Sequence, residues 1–502
     1  MNNLSQQSTE AKAPFRGLGV INCFLLCNDL AATQNTVNQL QQSTLVNKIY
    51  LLVKGENTQI QGCESLLIDS IQSSATIALI ASKSDADYSL IYTKDSALEL
   101  GQFALERFHR IAEDTQAGLV YADYYEIKAG VRSNHPTIDY QAGSLRDDFN
   151  FGSVLFYNAN NLKKAATDTS TDYQFAGLYN LRLKVSQQAE LVHMNEYLYT
   201  EVELDTRKSG EKQFDYVDPR NRAVQIEMEA ACTDHLKCIG GYLAPSFQNI
   251  EFSESHFPVE ASVIIPVKNR VKTIADAIQS VLIQKTSFPF NLIIVDNYSN
   301  DGTAELIQGF AQNDERVLHI TPARLDLGIG GCWNEGVHDS RCGKFAVQLD
   351  SDDVYQDENT LQKIVDAFYA QNCAMVVGSY TMTNFAMETI APGLIDHKEW
   401  TPDNGRNNAL RINGLGAPRA FYTPVLRDIK VPNTSYGEDY ALGLRISRDY
   451  QIGRIYDSLY LCRRWEDNSD ASLDVVKMNG HNTYKDKIRT VELKARIAMN
   501  KR

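Results

Sequence analysis

The sequence predicts an α/β fold with parallel, doubly wound sheets, and three features lead to this class. Residues 261–266 (ASVIIP) and 291–295 (NLIIV) are apolar, β-branched runs typical of strands buried on both faces. Apolar residues at helical spacing follow each run, so strand and helix alternate as they do in parallel sheets. With 502 residues the chain is also too long for one hydrophobic core, which predicts at least two domains.

Each of these two strands ends in a polar turn. The first ends at Pro266 and leads through the turn 267–270 (VKNR) into a helix with apolar residues on one face. The second ends at Asp296, and its turn leads into a helix predicted over 304–310, with Asp301 or Thr303 as the N-cap. Ligands of open α/β sheets bind beyond the carboxyl ends of the strands, which is where these turns lie.

The run KFAVQLDSDDVY at 344–355 is the most informative segment of the chain. An apolar strand there ends in Asp350, Asp352 and Asp353, three carboxylates within four residues. Carboxylates this close raise one another's pKa unless a cation shares the site, and their hard oxygen atoms suit Mg²⁺ or Mn²⁺. The alternative is a solvated acidic turn that caps the next helix.

Five motifs, taken in their order along the chain, resemble the family 2 glycosyltransferases, which have the GT-A fold. They are SVIIPVKNR (262–270), IIVDNYSNDGT (293–303), GIGGCWNEGV (328–337), FAVQLDSDD (345–353) and YGEDY (436–440). Any one of these motifs is weakly specific, but five in register are strong. The resemblance covers roughly residues 259 to 470.

The resemblance implies a role for each acidic residue. Asp352 would bind Mn²⁺ or Mg²⁺ on the donor diphosphate, with Asp350 beside it on the sugar or ribose, and Asp296 would accept a hydrogen bond from the nucleotide base. Asp439, next to Glu438, would be the general base of a single displacement that inverts the anomeric carbon. By itself the Glu438-Asp439 pair would be read as two acids favoured by a helix dipole. The donor-binding residues that the resemblance implies are Pro266, Asn269, Arg270, Asp296, Asn334, Asp350 and Arg464.

The sequence departs from the family pattern at two places. Cys332-Trp333-Asn334 stands where relatives have Ala-Arg-Asn, so an arginine near the donor is missing, and Arg324 or Arg341 are the candidates to replace it. Near residue 464, relatives often place a basic residue over the diphosphate. Arg464 could grip a phosphate there, or it could form a surface ion pair with Glu466 or Asp467.

The first half of the chain repeats the second with its acids replaced. Residues 47–54 (NKIYLLVK) parallel 291–296, which puts Lys54 in the place of Asp296, and residues 89–97 parallel 345–352, which puts Ala97 in the place of Asp352. Phe175-Ala176 stands in the place of Glu438-Asp439. This pattern predicts a degenerate GT-A-like domain kept for packing, dimerisation or acceptor binding. The alternative is an unrelated α/β domain with generic similarity.

The predicted domains are 1–205 for the degenerate domain, 206–258 for a linker, and 259–502 for the catalytic domain. The linker begins with a polar stretch at 207–212, followed by a helix predicted over 222–239 that ends at Gly240-Gly241. We expect this helix to join the two domains. Together these assignments predict two tandem GT-A, Rossmann-like domains, and homo-oligomerisation through the first domain.

Composition limits the partners and the compartment. A net charge of −14 argues against nucleic acid or an anionic membrane surface as the main partner. Nine scattered cysteines without metal-type spacing, a polar N-terminus and no apolar run near the ~18 residues of a membrane span predict a cytoplasmic protein without a transmembrane segment. Residues 484–502 read as a basic, amphipathic helix.

The sequence therefore predicts a metal-dependent, inverting glycosyltransferase of the hexosyltransferase type. The expected donor is a nucleotide-diphosphate sugar, with UDP-sugar preferred, and the expected acceptor is a glycan of surface polysaccharide synthesis. A nucleotidyltransferase would need a glycine-rich loop after the first strand, and residues 266–270 contain no glycine. The other alternative is a non-catalytic sugar-nucleotide-binding or scaffold protein, against which the intact acids of the second half argue.

Overall fold

The computed structural model describes residues 20–55, 59–168, 171–205, 207, 215, 218–252, 256–465, 468 and 473–501. The chain divides into two compact units, one comprising Met1–Tyr140 with Asn150–Thr206, the other Gln141–Phe149 with Arg207–Arg502. The predicted boundaries are corrected at one place, because the short segment 141–149 belongs to the second unit although it lies in the first half of the sequence. The predicted linker also belongs to the second unit.

The first unit is a mixed sheet with helices, and its strands include continuous apolar runs. Its elements are β1 (Ile21–Leu26), α1 (Leu30–Leu40), β2 (Val46–Val53), β3 (Glu64–Leu67), α2 (Ser74–Lys83), β4 (Tyr88–Tyr92), β5 (Leu98–Leu100), α3 (Ala104–Thr115), β6 (Leu119–Lys128), β7 (Val131–His135), β8 (Val154–Asn158), α4 (Ala159–Thr167), α5 (Gly177–Ser186) and β9 (Leu191–Glu203).

The second unit has the same succession of strands, preceded by a helix and followed by a longer one. Its elements are a 3₁₀ turn (Pro219–Asn221), α6 (Arg222–Ile239), β10 (Ala261–Val267), α7 (Ile274–Leu282), β11 (Phe290–Asp296), α8 (Thr303–Asn313), β12 (Val317–Ile320), α9 (Ile329–His338), β13 (Phe345–Gln348), β14 (Val354–Tyr355), α10 (Thr360–Gln371), β15 (Met375–Thr383), β16 (Thr389–Ile395), α11 (Gly405–Asn408), β17 (Arg419–Tyr422), α12 (Thr423–Ile429), α13 (Glu438–Asp449), β18 (Ile452–Arg463) and α14 (Val475–Asn500).

The two sheets have one topology. The described strands of the first run in the order β3-β2-β1-β4-β8-β6-β9-β5, and those of the second in the order β12-β11-β10-β13-β17-β15-β18-β14, with β7 and β16 paired at matching places. The strands on either side of β1 and β10 are parallel, as predicted. Beyond β4 and β13 the neighbouring strand is antiparallel, so each sheet is mixed and not purely parallel. The predicted α/β class with two tandem Rossmann-like units is confirmed.

The strand register corrects two of the predicted equivalences between the halves. Asn22 in β1 and Ser262 in β10 take matching positions, with Lys48 opposite Asn22 and Asn291 opposite Ser262. Five residues further on, Val53 therefore matches Asp296, and the predicted match with Lys54 is wrong by one residue. The sequence comparison missed this because an apolar run offers several alignments, whereas backbone pairing fixes one.

The predicted match of Ala97 with Asp352 is also corrected. Phe24 of β1 pairs with Ile91, and Ile264 of β10 pairs with Gln348, so these two partners correspond. Asp352 lies four residues after Gln348, and the residue four positions after Ile91 is Asp95. The first half therefore keeps an acid in this loop. Asp95 is occupied as an acceptor, because its carboxylate receives hydrogen bonds from the backbone N and the Nδ2 of Asn28 at 2.8 and 2.6 Å.

The helix α6 confirms the predicted linker helix at both ends. It spans Arg222–Ile239, and Gly240 follows in the left-handed conformation with φ of 76°. It packs within the second unit, where Asn404 Nδ2 donates to Glu229 Oε1 at 2.7 Å and to Thr233 Oγ1 at 2.9 Å. The polar stretch predicted at 207–212 lies outside the described residues except for Arg207.

The helix α14 begins earlier than predicted and is not a basic surface helix. Lys485, Asp486, Arg489 and Arg496 are buried in the second unit. The segment 141–149 contacts this helix, with Gly143 N donating to Thr490 Oγ1 and Ser144 Oγ donating to Asp486 Oδ2, both at 2.9 Å. Among the described residues, no helix is long and apolar enough to cross a membrane.

Candidate active site

The carboxyl ends of β10 and β13 border a cavity of about 300 Å³ in the second unit. The start of β17 and the first turn of α13 close its other side. Polar and charged side chains line most of it, and an apolar wall is formed by α9, β17 and α13. The lining residues are Pro266, Arg270, Ile329, Trp333, Gln348, Asp350, Ser351, Asp352, Asp353, Arg419, Phe421, Val431, Glu438, Asp439, Leu442, Cys462, Arg463, Arg464 and Asn468.

The acidic loop after β13 brings its three carboxylates to this cavity in different environments. Asp353 is buried and accepts a hydrogen bond from Arg463 N at 2.7 Å. Burial and the charges of Asp352 and Asp350 raise the pKa of Asp353 well above its usual value. Asp350 accepts from Gln348 Nε2 at 2.8 Å, and burial again raises its pKa. These acids are costly to hold close together without a cation.

Asp352 is the acid best placed to meet a metal ion. Its Oδ2 receives long hydrogen bonds from Asn468 Nδ2 at 3.2 Å and Trp465 Nε1 at 3.4 Å, and Arg270 Nε lies 3.8 Å away. Mg²⁺ and Mn²⁺ sites of this kind need only one or two carboxylates, since substrate phosphates complete the shell. The hard oxygen atoms of Asp352 and Asp350 fit such an ion.

Glu438 and Asp439 form the first turn of α13, after Gly437 in the left-handed conformation with φ of 77°. Burial and the charge of Asp439 raise the pKa of Glu438 to about 8. Burial also acts to raise the pKa of Asp439, but the charges of Arg419 and Lys485 outweigh it and hold that pKa below its usual value. These surroundings favour the protonated form of Glu438 and the ionised form of Asp439.

Arg419 is a site residue that the sequence analysis did not identify. Its Nη1 lies 2.6 Å from Asp439 Oδ2. The family arginine that the chain lacks was expected at Arg324 or Arg341, but these pair with Asp326 and Asp339, two residues along the chain in each case. Arg419 stands at the start of a short strand, and no motif in the sequence marks it. The fold brings it to the cavity by pairing β17 with β13.

Three of the implied donor-binding residues do not line the cavity. Asn269 joins two turns, because its N donates to Ser299 Oγ and its Oδ1 accepts from Asn300 N, both at 2.9 Å. Asp296 is buried and accepts from Ser299 N at 3.0 Å, with His319 Nε2 3.5 Å from its other oxygen.

The third of these residues is Asn334, whose amide is occupied by backbone contacts. Its Nδ2 donates to Val431 O at 2.8 Å and its Oδ1 accepts from Val431 N at 3.0 Å. This pairing holds α9 against the segment before α13. The other implied residues, Pro266, Arg270, Asp350, Asp352, Glu438, Asp439 and Arg464, all line the cavity. The alternative partners of Arg464, Glu466 and Asp467, lie outside the described residues.

The matching region of the first unit has its charges reversed. Tyr199 of β9 pairs with Tyr124, and Tyr460 of β18 pairs with Tyr380 at the same place in the other sheet. Tyr199 and Tyr460 are therefore equivalent. Glu203 therefore matches Arg464, four residues further along in each case. In the loop after β4, Lys94 Nζ contacts Glu201 at 2.5 Å and Glu203 at 3.1 Å. Glu126 lies beside these two glutamates, and the three carboxylates form a cluster. The positive charge that this cluster needs comes from the Lys94 side chain.

Residues 262–421 match the model of the family described as Glycosyl transferase family 2. The putative teichuronic acid biosynthesis glycosyltransferase TuaG of Bacillus subtilis (strain 168) is 32% identical over 122 residues, which are 24% of this chain and 46% of that protein. The O-antigen chain rhamnosyltransferase WbaN of Salmonella anatum is 28% identical over 95 residues, 19% of this chain and 29% of that protein. The chain thus aligns with less than half the length of these curated relatives.

Solved structures with similar folds include TarS 1-349 of S. aureus in complex with UDP, at 18% identity and a TM-score of 0.36, covering 46% of this chain and 65% of that one. The mannosyltransferase PcManGT of Pyrobaculum calidifontis, in complex with GDP-Man and Mn²⁺, gives 14% identity and a TM-score of 0.32, covering 51% of this chain and 69% of that one. Similarities this low do not bear on substrate or mechanism. It is the family match that confirms the resemblance, and the match extends over residues 262–421.

Proposed function

We propose that the second unit is a metal-dependent, inverting glycosyltransferase that moves a sugar from a nucleotide-diphosphate sugar to a hydroxyl of a glycan. One observation carries this proposal. A single cavity is lined by Asp352 and Asp350, which suit a hard cation, and by Asp439, whose pKa is held below its usual value. A sugar between them would face a metal-bound leaving group and a base, which a single displacement requires.

The proposed roles of the side chains follow from their charges. A bound Mn²⁺ or Mg²⁺ would supply Lewis-acid stabilisation of the departing diphosphate. Arg270, Arg463 and Arg464 line the same cavity and can hold phosphate oxygens. Asp439 would take the proton from the acceptor hydroxyl at its carboxylate oxygen as the new bond forms. Attack from the side opposite the diphosphate would invert the anomeric carbon.

We also propose the substrate classes and the location. The preferred donor is a UDP-sugar and the acceptor is a growing surface polysaccharide. The printed names of two relatives, which refer to teichuronic acid and O-antigen, support the polysaccharide. The preference for UDP and for a hexose rests on the family resemblance. A cytoplasmic location is supported by the nine cysteines, which are scattered along the sequence without metal-type spacing.

A thermal-shift panel of nucleotide sugars, with and without Mn²⁺, tests this function. A ligand present at 100 times its dissociation constant stabilises the folded protein by about 2.7 kcal/mol, which gives a readable rise in melting temperature. We expect the rise only with metal, and we expect Asp352→Ala to remove it. A metal-independent rise, or a normal rise in Asp352→Ala, would contradict the proposed metal site. Donor hydrolysis measured on the same samples separates an enzyme from a non-catalytic binding protein.

A further inference from the structure

Arg419 reaches into the cavity from the start of β17 and engages the proposed base directly. Its Nη1 lies 2.6 Å from Asp439 Oδ2 and donates to Gly416 O at 2.9 Å. The Arg419 side chain is 17% exposed and that of Asp439 is 27% exposed, so the pair is shielded from bulk water but open to the cavity. Two opposite charges shielded from bulk water in this way attract each other more strongly than an ion pair on the surface does.

A second contact ties Arg419 to the donor side of the cavity. Its backbone N donates to Gln348 Oε1 at 3.2 Å, and Gln348 Nε2 donates to Asp350 Oδ1 at 2.8 Å. Gln348 is buried, so the distance between these groups is held by packing. One side-chain amide therefore links the strand that carries Arg419 to the carboxylate proposed to contact the donor.

The first unit provides an internal comparison, because it keeps the strands and lacks this chain of contacts. Ile91 matches Gln348, and its partner in β8 is Leu155, which matches Arg419. Ala176 and Gly437 each precede the first residue of their helix, so Leu178 of α5 stands where Asp439 stands in α13, and the predicted match of Phe175-Ala176 with the acid pair is shifted by two residues. The amide, the guanidinium and the acid are thus replaced together by apolar residues. This joint replacement is expected if the three groups serve one purpose, and the packing of the sheet does not require them.

We propose that Arg419 is a positioning residue for Asp439, fixing its carboxylate relative to the donor side of the cavity through Gln348. The proposal rests on the proposed function, since it concerns the base of that reaction. Arg419 itself need not touch the substrate. Its effect is to fix which of two adjacent acids is ready to receive a proton.

Other charged groups face Asp439 and must be considered with Arg419. Glu438 is its neighbour on α13, and the charge of Asp350 from the loop after β13 acts on both Glu438 and Arg419. Lys485 of α14 adds a second positive charge. Its Nζ donates to Asn413 O at 2.5 Å, so Lys485 has a contact of its own. Arg419 is the cation in direct contact with the carboxylate.

The pH profile of kcat/KM tests the proposal in the full-length protein with metal and donor. Removing an opposite charge from a carboxylate in contact raises its pKa by about 1 to 3 units, so the acid limb should move to higher pH by that amount in Arg419→Gln. Arg419→Lys keeps a positive charge, so the acid limb of its pH profile should lie close to that of the wild type. Arg445→Gln is the matched control, because Arg445 pairs with Asp449 at 2.5 Å on the same helix, away from the cavity, and should leave the profile unchanged.

Two further measurements make the outcome decisive. Melting curves of Arg419→Gln and Arg419→Lys show whether each variant is folded, and Arg419→Gln in the Asp439→Asn background should cause little additional loss of kcat. An equal fall of kcat/KM at every pH, or a rise in donor KM alone, would overturn the inference and leave the proposed function standing. Near-normal turnover in Asp439→Asn would instead overturn the base assignment within the proposed function.

Discussion

Glu438 and Asp439 are adjacent in the chain, but their surroundings shift their pKa values in opposite directions. Arg419 and Lys485 face Asp439, whereas Glu438 has a buried Oε2 with no hydrogen-bond donor among the described residues. The pKa of Asp439 is therefore held below its usual value and that of Glu438 above it, a division typical of sites that move a proton. This division supports the proposed assignment of Asp439 as the base.

Asp439→Asn separates chemistry from donor binding. Asparagine has nearly the same shape but is a poor base, and loss of a general base typically lowers turnover by about 10²- to 10⁴-fold. We expect kcat to fall on that scale, with donor affinity within a few-fold of normal, as measured by steady-state kinetics and calorimetry. Unchanged turnover with a large loss of donor affinity would make Asp439 a binding residue.

Glu438→Gln should alter how stability depends on pH. The pKa of Glu438 is about 8 in the folded protein, whereas its ordinary value is 4.5. Between these two pH values the unfolded chain has lost a proton that the folded protein keeps. The free energy of unfolding therefore falls as pH rises from 4.5 to 8. The glutamine cannot titrate, so its melting temperature should fall less between pH 5 and pH 8.

The control for that prediction is Glu305→Gln, which removes an exposed carboxyl from the first turn of α8. It should follow the wild-type melting temperatures across the same pH range. Parallel curves for wild type and Glu438→Gln would show that Glu438 does not hold a proton in the folded protein.

At the scale of elements, α14 and the segment 141–149 contact each other through buried polar groups. Arg489 Nη1 donates to Asp486 Oδ1 at 2.8 Å, and Arg411 Nη1 lies 2.6 Å from Asp147 Oδ2. These arginines are fully buried, so each depends on its acid. Breaking such a pair by removing one partner costs about 3–5 kcal/mol, because the other charge stays buried. The second unit is therefore completed by residues far away in the sequence.

Gly143→Ala tests this contact. A Cβ at Gly143 would lie 2.6 Å from Asp486 O and nearer still to Thr490 N, both backbone atoms of α14. We expect the free energy of unfolding to fall by about 1–3 kcal/mol, as in other overpacked sites, measured by urea denaturation. The matched control is Gly309→Ala in α8, where nothing lies within 4 Å of the added Cβ. That change should stabilise by about 0.5–1 kcal/mol.

At the scale of the molecule, the chain contains one sheet topology twice, with different chemistry at the same edge. In the second unit, acids on the loop after β13 face Arg463 and Arg464 across the cavity. In the first unit, Lys94 on the matching loop pairs with Glu201 and Glu203. A diphosphate would meet carboxylates there that are already neutralised by a lysine of the chain. We therefore propose that the first unit is not a second donor site.

Titration of the full-length protein tests this reading. With Mn²⁺ and a UDP-sugar, calorimetry should give one donor site per chain. Asp352→Ala should abolish the binding, and Asp95→Ala should leave it intact, because the Asp95 carboxylate accepts hydrogen bonds from Asn28 and Asp29. Two sites per chain, or loss of binding in Asp95→Ala, would mean that the first unit also binds the donor.

The sequence by itself determined the elements whose physics is local. The buried strand β11, the helix α6 with its glycine stop and the acidic loop after β13 follow from apolar runs, helical spacing and caps within a few residues. Pro266, Arg270, Asp350, Asp352, Glu438, Asp439 and Arg464 could be proposed together because they belong to short motifs, and the structure places them at one cavity.

Only the tertiary structure decided what depends on pairing between distant segments. The register of β2 with β1 makes Val53, and not Lys54, the match of Asp296. Strand pairing brings Arg419 to Asp439 and to Gln348. Segment 141–149 belongs to the second unit because it supplies partners for buried charges there. Asp147 pairs with Arg411, which follows α11, and Ser144 donates to Asp486 of α14. Local propensity cannot encode such contacts, since the free energy of a buried charge depends on groups hundreds of residues away in the sequence.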